Sequence, residues 1–472
     1  MSKNLDIVKK LWNFAKILKD DGVTYLQYTT ELTYLLFLKM NDEIDKKNHF
    51  LKKYNWKVLS NKKGVDQFNY YRELLLNLSS SKLDYFRDIF YNASTSIREP
   101  RNLNLLISNI NKLDWYSVKN QENGLSDLYE GLLEKTGNEG KKGAGQYYTP
   151  RSIIELVVDL IKPKPGEIIQ DPAIGTGGFI VAADKYIKKK TDDLFNLKVK
   201  QQNFQKKNAY KGIELISDSH RLCMMNLYLH GIESSIVRGN TLSSLGKNLT
   251  KSDIILTNPP FGSSNKDSLS TRDDFVYETS NKQLSFLQHI YLNLKPEGRA
   301  AVVLPDSVLS IEGVGTQIRK DFLDQCILHT ILRLPQGIFY TRSVRTNILF
   351  FYKKKNEKEQ NKKLWIYDYR TSINKFGKTM PLTRDHLKDF EEKYGKDEYG
   401  RTTRISGNEN ERFRSFDFEN IIKNKYNLDI RWLKDEEIKY LEKLPPINII
   451  LSDIQKNLEK SLEVIKKLNE KS

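Results

Sequence analysis

In Thr257-Asn258-Pro259-Pro260-Phe261 a predicted buried strand ends and a rigid turn begins, and the rest of the predicted fold is organised around this segment. The residues before it, Asp253-Ile254-Ile255-Leu256, form a short apolar run that predicts the strand, and the two prolines end it. Pro259 has a fixed φ and no N–H, so its carbonyl is held in one direction, and Pro260 disfavours an α conformation before it. Asn258 adds a side-chain oxygen and Phe261 adds a flat apolar face.

Two rigid acceptors beside an aromatic plane fit a planar ring that carries an exocyclic amine, as a nucleobase does. The acceptors would be the side-chain oxygen of Asn258 and the carbonyl oxygen of Pro259. The alternative is an ordinary proline-rich turn after a strand. The short pattern alone would favour that alternative, and the segments upstream change the balance.

A glycine loop follows an earlier predicted strand. Residues 167–171 predict a strand that ends at Asp171, and residues 172–179 (Pro-Ala-Ile-Gly-Thr-Gly-Gly-Phe) predict a tight turn that opens a helix. Glycines at such a junction let another molecule approach the backbone and expose N–H groups at the helix start. The segment lacks the Gly-Lys-Ser/Thr ending of a P-loop and the spacing of the dinucleotide fingerprint, so a generic α/β turn stays open.

Two further strand ends carry polar side chains. Residues 209–214 predict a second strand that ends in Glu214, and an acid at this position accepts hydrogen bonds from ribose hydroxyls in nucleoside-binding α/β folds. A third β-α step ends at Gly239-Asn240-Thr241-Leu242, and the fourth strand delivers Asn258. Because successive parallel strands end at the same edge of a sheet, we expect these loops to form one site.

The residues before the sheet are predicted to be helical up to about Thr136, because apolar residues recur there at helical spacing. Glycines and lysines between residues 137 and 145 predict a flexible basic connector. It leads into Gln146-Tyr147-Tyr148-Thr149-Pro150-Arg151 and a helix with an apolar face over 153–161. Thr149 followed by Pro150 predicts an N-cap with proline in the first turn.

Beyond the fourth strand, the pattern predicts helices at 284–294 and 318–326 and strands at 299–304, 327–332, 347–352 and 364–369. Lysines at 353–355 and 362–363 predict an exposed turn; a solvated charge run is the default and a phosphate contact is the alternative. Residues 381–414 are predicted to be loop-rich. After Pro446 an apolar stripe predicts a helix that packs on the body or on a partner: Leu451, Ile454, Leu458, Leu462, Ile465 and Leu468.

Composition sets wider bounds. A chain of 472 residues predicts two or three domains, and 39% hydrophobic residues support a sizeable core. The mean hydropathy of −0.58 and the lack of a long apolar run argue against a membrane protein and a signal peptide. Two cysteines and six scattered histidines predict no metal site, and a reducing cytoplasm is the expected location. The net charge of +17 indicates a polyanionic partner or serves solubility alone.

With Asp171–Phe179 and Asn258–Phe261 together, the chain resembles S-adenosylmethionine-dependent DNA adenine-N6 methyltransferases. More closely, it is similar to the modification subunit of type I restriction-modification systems. Gln146–Arg151, Leu334–Phe339 and Tyr426–Asp429 are similar to further segments of that family, so the resemblance covers nearly the whole chain.

This resemblance implies an α/β fold: a Rossmann-like methyltransferase sheet over residues 137–435, preceded by a helical domain over 1–136 and followed by a helical tail over 436–472. It implies S-adenosylmethionine as cofactor and catalysis by Asn258, Pro259, Pro260 and Phe261. The cofactor-binding residues that it implies are Gln146, Tyr147, Tyr148, Thr149, Pro150, Arg151, Asp171, Gly175, Thr176, Gly177, Gly178, Glu214 and Asn240. Many adenine methyltransferases carry aspartate where this chain has Asn240, whose oxygen can still accept a hydrogen bond, without charge.

The expected mechanism needs no acid or base of matched pKa. Hydrogen bonds from adenine N6 to the Asn258 side chain and the Pro259 carbonyl would localise the nitrogen lone pair, which then attacks the sulfonium methyl in line. The adenine must be flipped out of the duplex to reach the pocket. Phe261 would stack on one face of the base and Phe339 on the other, with a core role as the alternative for Phe339.

Two other functions stay open at this stage. Enzymes that methylate protein glutamine also carry an Asn-Pro-Pro-aromatic motif, but they lack the long helical domain and the carboxy-terminal helix. A non-catalytic scaffold that binds DNA is disfavoured by the intact motif residues. We recognise no DNA-reading motif, so the resemblance implies four partners: double-stranded DNA, a separate specificity subunit that reads the sequence, a second modification subunit and a translocating nuclease subunit.

Overall fold

The computed structural model describes residues 2–19, 22–44, 54–81, 84–119, 124–139, 149–234, 236–263, 272–339, 344–371, 376–377 and 380–433, with single positions at 451, 452, 455, 458, 459 and 461. The predicted connector and the residues Gln146, Tyr147 and Tyr148 lie outside this described part. Most of the predicted carboxy-terminal helix lies outside it as well. Of its apolar stripe, Leu451 and Leu458 are described, and both are exposed.

The amino-terminal part is helical, as predicted. Its helices are α1 (Ser2–Asn13), α2 (Ala15–Lys19), α3 (Tyr25–Ile44), α4 (Trp56–Asn61), α5 (Gly64–Ser79), α6 (Asp84–Ile89), α7 (Pro100–Asn111), α8 (Trp115–Lys119) and α9 (Gly124–Glu139). Apolar residues that recur at helical spacing are buried here, among them Leu11, Leu32, Leu36 and Met40. This helical core is continuous with the core on one face of the sheet that follows.

The rest of the described chain alternates strands and helices. The strands are β1 (Ile169–Asp171), β2 (Tyr210–Glu214), β3 (Val237–Arg238), β4 (Ser252–Thr257), β5 (Leu294–Pro305), β6 (Cys326–Leu334), β7 (Thr346–Lys353), β8 (Lys363–Asp368) and β9 (Phe413–Asp417). The helices are α10 (Arg151–Ile161), α11 (Gly178–Lys190), α12 (Val199–Lys207), α13 (Ser217–Leu229), α14 (Ser244–Lys247), α15 (Lys282–Asn293), α16 (Asp306–Ser310), α17 (Val314–Gln325), α18 (Lys388–Tyr394) and α19 (Phe418–Lys423).

The strands form one mixed sheet in the order β3-β2-β1-β4-β5-β7-β6-β8-β9. β1 to β5 run parallel, β7 is antiparallel to both of its neighbours, and β8 runs parallel to β6. Alternate residues of a strand face opposite cores, as the pleat requires: in β4, Ile254 and Leu256 belong to one core and Ile255 to the other. The parallel order from β3 to β5 brings the carboxyl ends of the site-bearing strands to one edge, which confirms the Rossmann-like α/β prediction.

One local prediction is wrong. Thr149 is not the N-cap of α10: Pro150 holds that position with no side-chain capping bond, and the Thr149 hydroxyl is used elsewhere. Residues 381–414 are loop-rich, as predicted, although they also contain a 3-10 turn (Arg384–Leu387), α18 and the start of β9. Polar composition hid these elements, since α18 buries only Phe390 and Tyr394.

Two lysines at the end of β7, Lys353 and Lys354, bind the C-termini of helices. The ammonium of Lys353 donates to the carbonyl of Tyr291 at 2.7 Å, and that of Lys354 donates to the carbonyls of Leu323 and Asp324 at 3.0 and 2.8 Å. Both thus satisfy carbonyls at helix C-termini, where cations also complement the helix dipole. None of the helices in the described part is long and apolar enough to cross a membrane.

Candidate active site

The loops at the carboxyl ends of β1 to β4 line a cavity of about 730 Å³. Its wall includes eleven of the residues singled out from the sequence: Thr149, Arg151, Asp171, Gly175, Thr176, Gly178, Glu214, Asn240, Asn258, Pro260 and Phe261. These residues come from segments more than 100 positions apart in the chain. Their convergence follows from the parallel strand order, because each strand delivers its loop to the same edge.

Asn258 presents an unused acceptor at this cavity. Its side-chain nitrogen donates to the Thr149 hydroxyl at 3.0 Å, which fixes the orientation of the amide. Its side-chain oxygen is buried and accepts no hydrogen bond from any described residue. A buried acceptor without a donor costs free energy, so this oxygen is suited to a ligand that brings an N–H group.

Asp171 ties the ends of β1 and β4 together. Its carboxylate accepts from the Thr257 hydroxyl at 2.6 Å and from the Ala173 N–H at 3.0 Å. Complete burial raises the pKa of Asp171 to about 7, although both of these bonds oppose the shift. The residue before Asn258 is therefore anchored to the strand that carries the glycine turn.

Glu214 organises the glycine turn. One carboxylate oxygen accepts from the Gly175 N–H at 2.9 Å and the other from the Ile216 N–H at 2.8 Å. Burial raises its pKa, and these backbone bonds lower it. Gly175 and Gly177 have φ of +56° and +82°, values that a side chain disfavours, so glycine is needed at both. A carboxylate oxygen has lone pairs beyond one backbone bond and can still accept from a ligand.

The loop after β3 is held in a similar way. The Asn240 side-chain oxygen accepts from the Leu242 N–H at 2.9 Å, and the Thr241 hydroxyl donates to the Pro172 carbonyl. The buried Arg272 donates to the Thr241 carbonyl at 3.1 Å. Asn240 is itself exposed at the cavity, and its side-chain NH₂ makes no hydrogen bond within the described part of the chain. Arg272 lies 31 residues after Thr241, and no motif in the sequence indicated that it takes part in the site.

Phe261 and Phe339 lie in different environments. Phe261 is partly buried at the cavity, and its loop is held by a bond of 3.2 Å from the Lys282 N–H to the Gly262 carbonyl. Phe339 is 8% exposed, belongs to the core and does not line the cavity. Its stacking on a base stays a prediction, and its position favours the core alternative. Pro150, Gly177 and Pro259 also do not line the cavity.

One wall of the cavity was not predicted from the sequence. Glu130, Leu133 and Glu134 of α9, in the helical region, line the cavity beside α10 and α11. Lys185 of α11 holds α9 there through ion pairs to Asp127 at 3.2 Å and to Glu130 at 2.9 Å. Glu130, Leu133 and Glu134 lie at positions i, i+3 and i+4 and therefore share one face of α9. Such a face in a sequence predicts helix packing rather than a ligand-binding site. No cluster of His, Cys, Asp and Glu suited to a metal occurs in the described part of the chain.

Comparisons with known proteins agree over most of the chain. The family model described as N-6 DNA Methylase matches residues 120–440. The chain is 42% identical to the type I restriction enzyme EcoKI methylase subunit of Escherichia coli, over 97% of this chain and 94% of that protein. The crystal structure of the EcoKI M protein shares 40% identity and a TM-score of 0.59, over 97% and 94% of the two chains. A chain from a study of complex assembly in the type I restriction-modification system shares 25% identity and a TM-score of 0.71, over 98% and 97%.

Proposed function

This chain belongs to the N-6 DNA methylase family and, within it, to the methylase subunits of type I restriction enzymes. On that basis we propose which residues bind its two reactants, the target adenine and the methyl donor. The chain is an adenine-specific DNA methyltransferase, the modification subunit of a type I system. The proposal assigns the target amine to Asn258 and the methyl donor to the loops after β1, β2 and β3. The observation that carries it is the buried, unpartnered Asn258 oxygen at the wall of the cavity.

The target adenine is positioned by the turn after β4. Its N6 amine would donate one hydrogen to the Asn258 side-chain oxygen and the other to the Pro259 carbonyl. Both bonds favour the pyramidal nitrogen with a localised lone pair, so they strengthen as the nitrogen becomes the nucleophile. Phe261 would stack on the flipped base, a contact worth about 1–3 kcal/mol.

The methyl donor would occupy the cavity beside the turn. S-adenosylmethionine supplies an electrophilic methyl group bound to a sulfonium sulfur. Once the methyl group is transferred, this sulfur is part of a neutral thioether. The residues present fit this molecule: Glu214 offers carboxylate oxygens to ribose hydroxyls, Asn240 offers its amide to the adenine ring, and the turn of Gly175–Gly178 leaves room for the methionine part. Gln146, Tyr147 and Tyr148 stay predicted contacts outside the described residues.

No general base is needed beside the reacting nitrogen. The amine loses its proton during or after methyl transfer, when its pKa falls. The carboxylate of Asp171, which binds the residue before Asn258, is engaged with Thr257 and Ala173, and none of the described residues that line the cavity is a histidine. The rate of methyl transfer thus depends on how Asn258, oriented by Thr149, positions the adenine amine.

The partners follow from the family. We propose that a specificity subunit selects the DNA sequence, that two copies of this chain grip the duplex, and that a translocating nuclease subunit joins for cleavage. The excess of 17 positive charges suits contact with the phosphate backbone. We place the protein in the cytoplasm because its DNA substrate is there.

Tritium transfer from labelled S-adenosylmethionine by the complex with its specificity subunit tests the function. Label in N6-methyladenine of DNA is expected, and label in protein would support glutamine methylation instead. Asn258→Ala should keep cofactor affinity and lose most of the transfer. Near-normal transfer by this variant would refute the assigned role, and absence of any transfer by the wild type would favour the scaffold function.

A further inference from the structure

The cavity extends beyond the room that the adenosine half of the cofactor needs. In the proposed function this half lies on Glu214 and Asn240, at the ends of β2 and β3, and the reacting methyl lies at Asn258, after β4. The amino-acid half must then occupy the remaining part, which is walled by α9, α10 and α11. That half carries an α-ammonium and an α-carboxylate.

Charges in this part of the cavity are mostly paired within the protein. Glu130 is bound by Lys185 at 2.9 Å and by Arg151 at 3.4 Å. Glu155 accepts from Arg151 at 2.9 Å, and Asp159 is bound by Arg384 at 3.0 Å.

Glu134 differs from these acids. It lines the cavity, it is exposed there, and it makes no hydrogen bond or ion pair with a described residue. It lies four residues after Glu130 on α9, so both carboxylates point from the same face of the helix. The ion pairs of Asp127 and Glu130 with Lys185 fix that face against α11, which means that Glu134 is held in place without using its own charge.

Among the described residues, the charged neighbours of the Glu134 carboxylate are one cation, Arg151, and two further acids, Glu130 and Glu155. Burial raises its pKa, the nearby Arg151 lowers it, and Glu130 and Glu155 raise it further. A ligand cation at this point would relieve the repulsion among three carboxylates. The positive end of the ligand that fits is the α-ammonium, because the sulfonium must stay at Asn258, where the methyl meets the target nitrogen.

We propose that Glu134, in the helical region, binds the α-ammonium of the methionine half of S-adenosylmethionine. The inference rests on the proposed function and adds a cofactor contact from outside the methyltransferase sheet. It makes the cavity a shared site: the sheet binds the adenosine half, and the helical region binds the amino-acid end. Arg151, paired with Glu130 and Glu155, lies next to this end.

Calorimetry with three ligands tests the assignment on the full-length chain. S-adenosylmethionine and S-adenosylhomocysteine both carry the α-ammonium, and only the first carries the sulfonium; 5′-methylthioadenosine carries neither. Glu134→Gln keeps size and one acceptor but removes the charge. Glu99→Gln makes the same change on an exposed residue of the helical region, remote in sequence from α9, and serves as the control.

We expect Glu134→Gln to weaken the binding of S-adenosylmethionine and of S-adenosylhomocysteine by the same factor of about ten, which corresponds to about 1.4 kcal/mol of binding free energy. Binding of 5′-methylthioadenosine should not change, and Glu99→Gln should bind all three as the wild type does. If Glu134→Gln binds each of the three ligands with the same affinity as the wild type, the proposal is overturned. So would a loss that includes 5′-methylthioadenosine, which would indicate altered cavity shape, or a loss for S-adenosylmethionine alone, which would assign Glu134 to the sulfonium. A wild type that binds none of them would instead refute the proposed function.

Discussion

Thr149→Val tests whether the Thr149 hydroxyl sets the reactive orientation of Asn258. Valine has the shape of threonine without the hydroxyl, and residue 149 is 8% exposed, so the change removes one bond of 3.0 Å and little else. Without that bond the Asn258 amide can turn over and present its NH₂ group to the amine of the adenine. A donor facing a donor cannot favour the reactive nitrogen.

The magnitude follows from the bond that is lost. A neutral hydrogen bond contributes about 0.5–1.5 kcal/mol, and the unproductive amide orientation adds a similar amount. We therefore expect kcat to fall about 5- to 150-fold, the equivalent of about 1–3 kcal/mol. The bond joins two protein groups, so the affinity for S-adenosylmethionine should change less than threefold.

Single-turnover tritium transfer to DNA by the assembled enzyme measures the rate, and calorimetry measures the affinity. Thr149→Ser keeps a hydroxyl and should retain most of the rate, which separates the hydrogen bond from packing. A Thr149→Val enzyme with normal kcat and weakened cofactor binding would refute this reasoning. It would make Thr149 a direct cofactor contact, as the family resemblance implies.

Three further predictions concern other parts of the chain. Glu214→Gln should weaken S-adenosylmethionine binding by about 1–3 kcal/mol, the scale for bonds to a charged acceptor, and unchanged calorimetric affinity would remove Glu214 from the site. Burial raises the pKa of Glu31 to about 7, so its contribution to stability is complete below its ordinary pKa and is lost as the pH rises through 7. Glu31→Gln should flatten the fall in urea-unfolding free energy between pH 4.5 and 7; an unchanged slope would contradict this. Deletion from Pro446 onward should leave a folded, cofactor-binding chain that no longer joins the specificity subunit in gel filtration, whereas loss of solubility would favour docking of the tail on its own chain.

Strand identity could be predicted from sequence, but strand order in the second half of the sheet could not. Apolar runs marked β6, β7 and β8 within two residues of their observed bounds. Nothing in those runs indicates that β7 inserts between β5 and β6 in antiparallel orientation. That arrangement depends on pairing between strands some 45 residues apart, which local periodicity does not encode.

The site was predictable where it depends on strand ends and not where it depends on tertiary contacts. The parallel-strand rule placed Asp171, Glu214, Asn240 and Asn258 at one edge, and they line one cavity. The contact between Thr149 and Asn258 joins positions 109 residues apart, and the local pattern assigned Thr149 to helix capping instead. The wall from α9 was missed for a related reason, since its acids lie in a helix whose other face is core.

The segment Tyr426–Asp429 shows that resemblance to a family can reflect packing as well as chemistry. Asp429 binds the fully buried Arg333 at the end of β6, and Arg333 also contacts Asp368 at the end of β8 at 3.4 Å. Desolvation lowers the pKa of Arg333, so the buried cation depends on these carboxylates.

The same contacts fix the described chain shortly before residues 436–472, which are predicted to form the carboxy-terminal tail. The ends of β6 and β8 lie at the edge of the sheet that also carries Asn258, because β6 and β8 run parallel to β4 and β5. Asp429, a few residues before the predicted tail, is thus fixed to the edge of the sheet at which the proposed function places the target base. A partner that binds the tail would be held on the DNA-facing side of the sheet. If that partner is the subunit that reads the DNA sequence, it would lie close to the base that it selects for methylation. Under the proposed function, assembly and catalysis would then share one edge, which would give a structural reason for separating sequence recognition into another subunit.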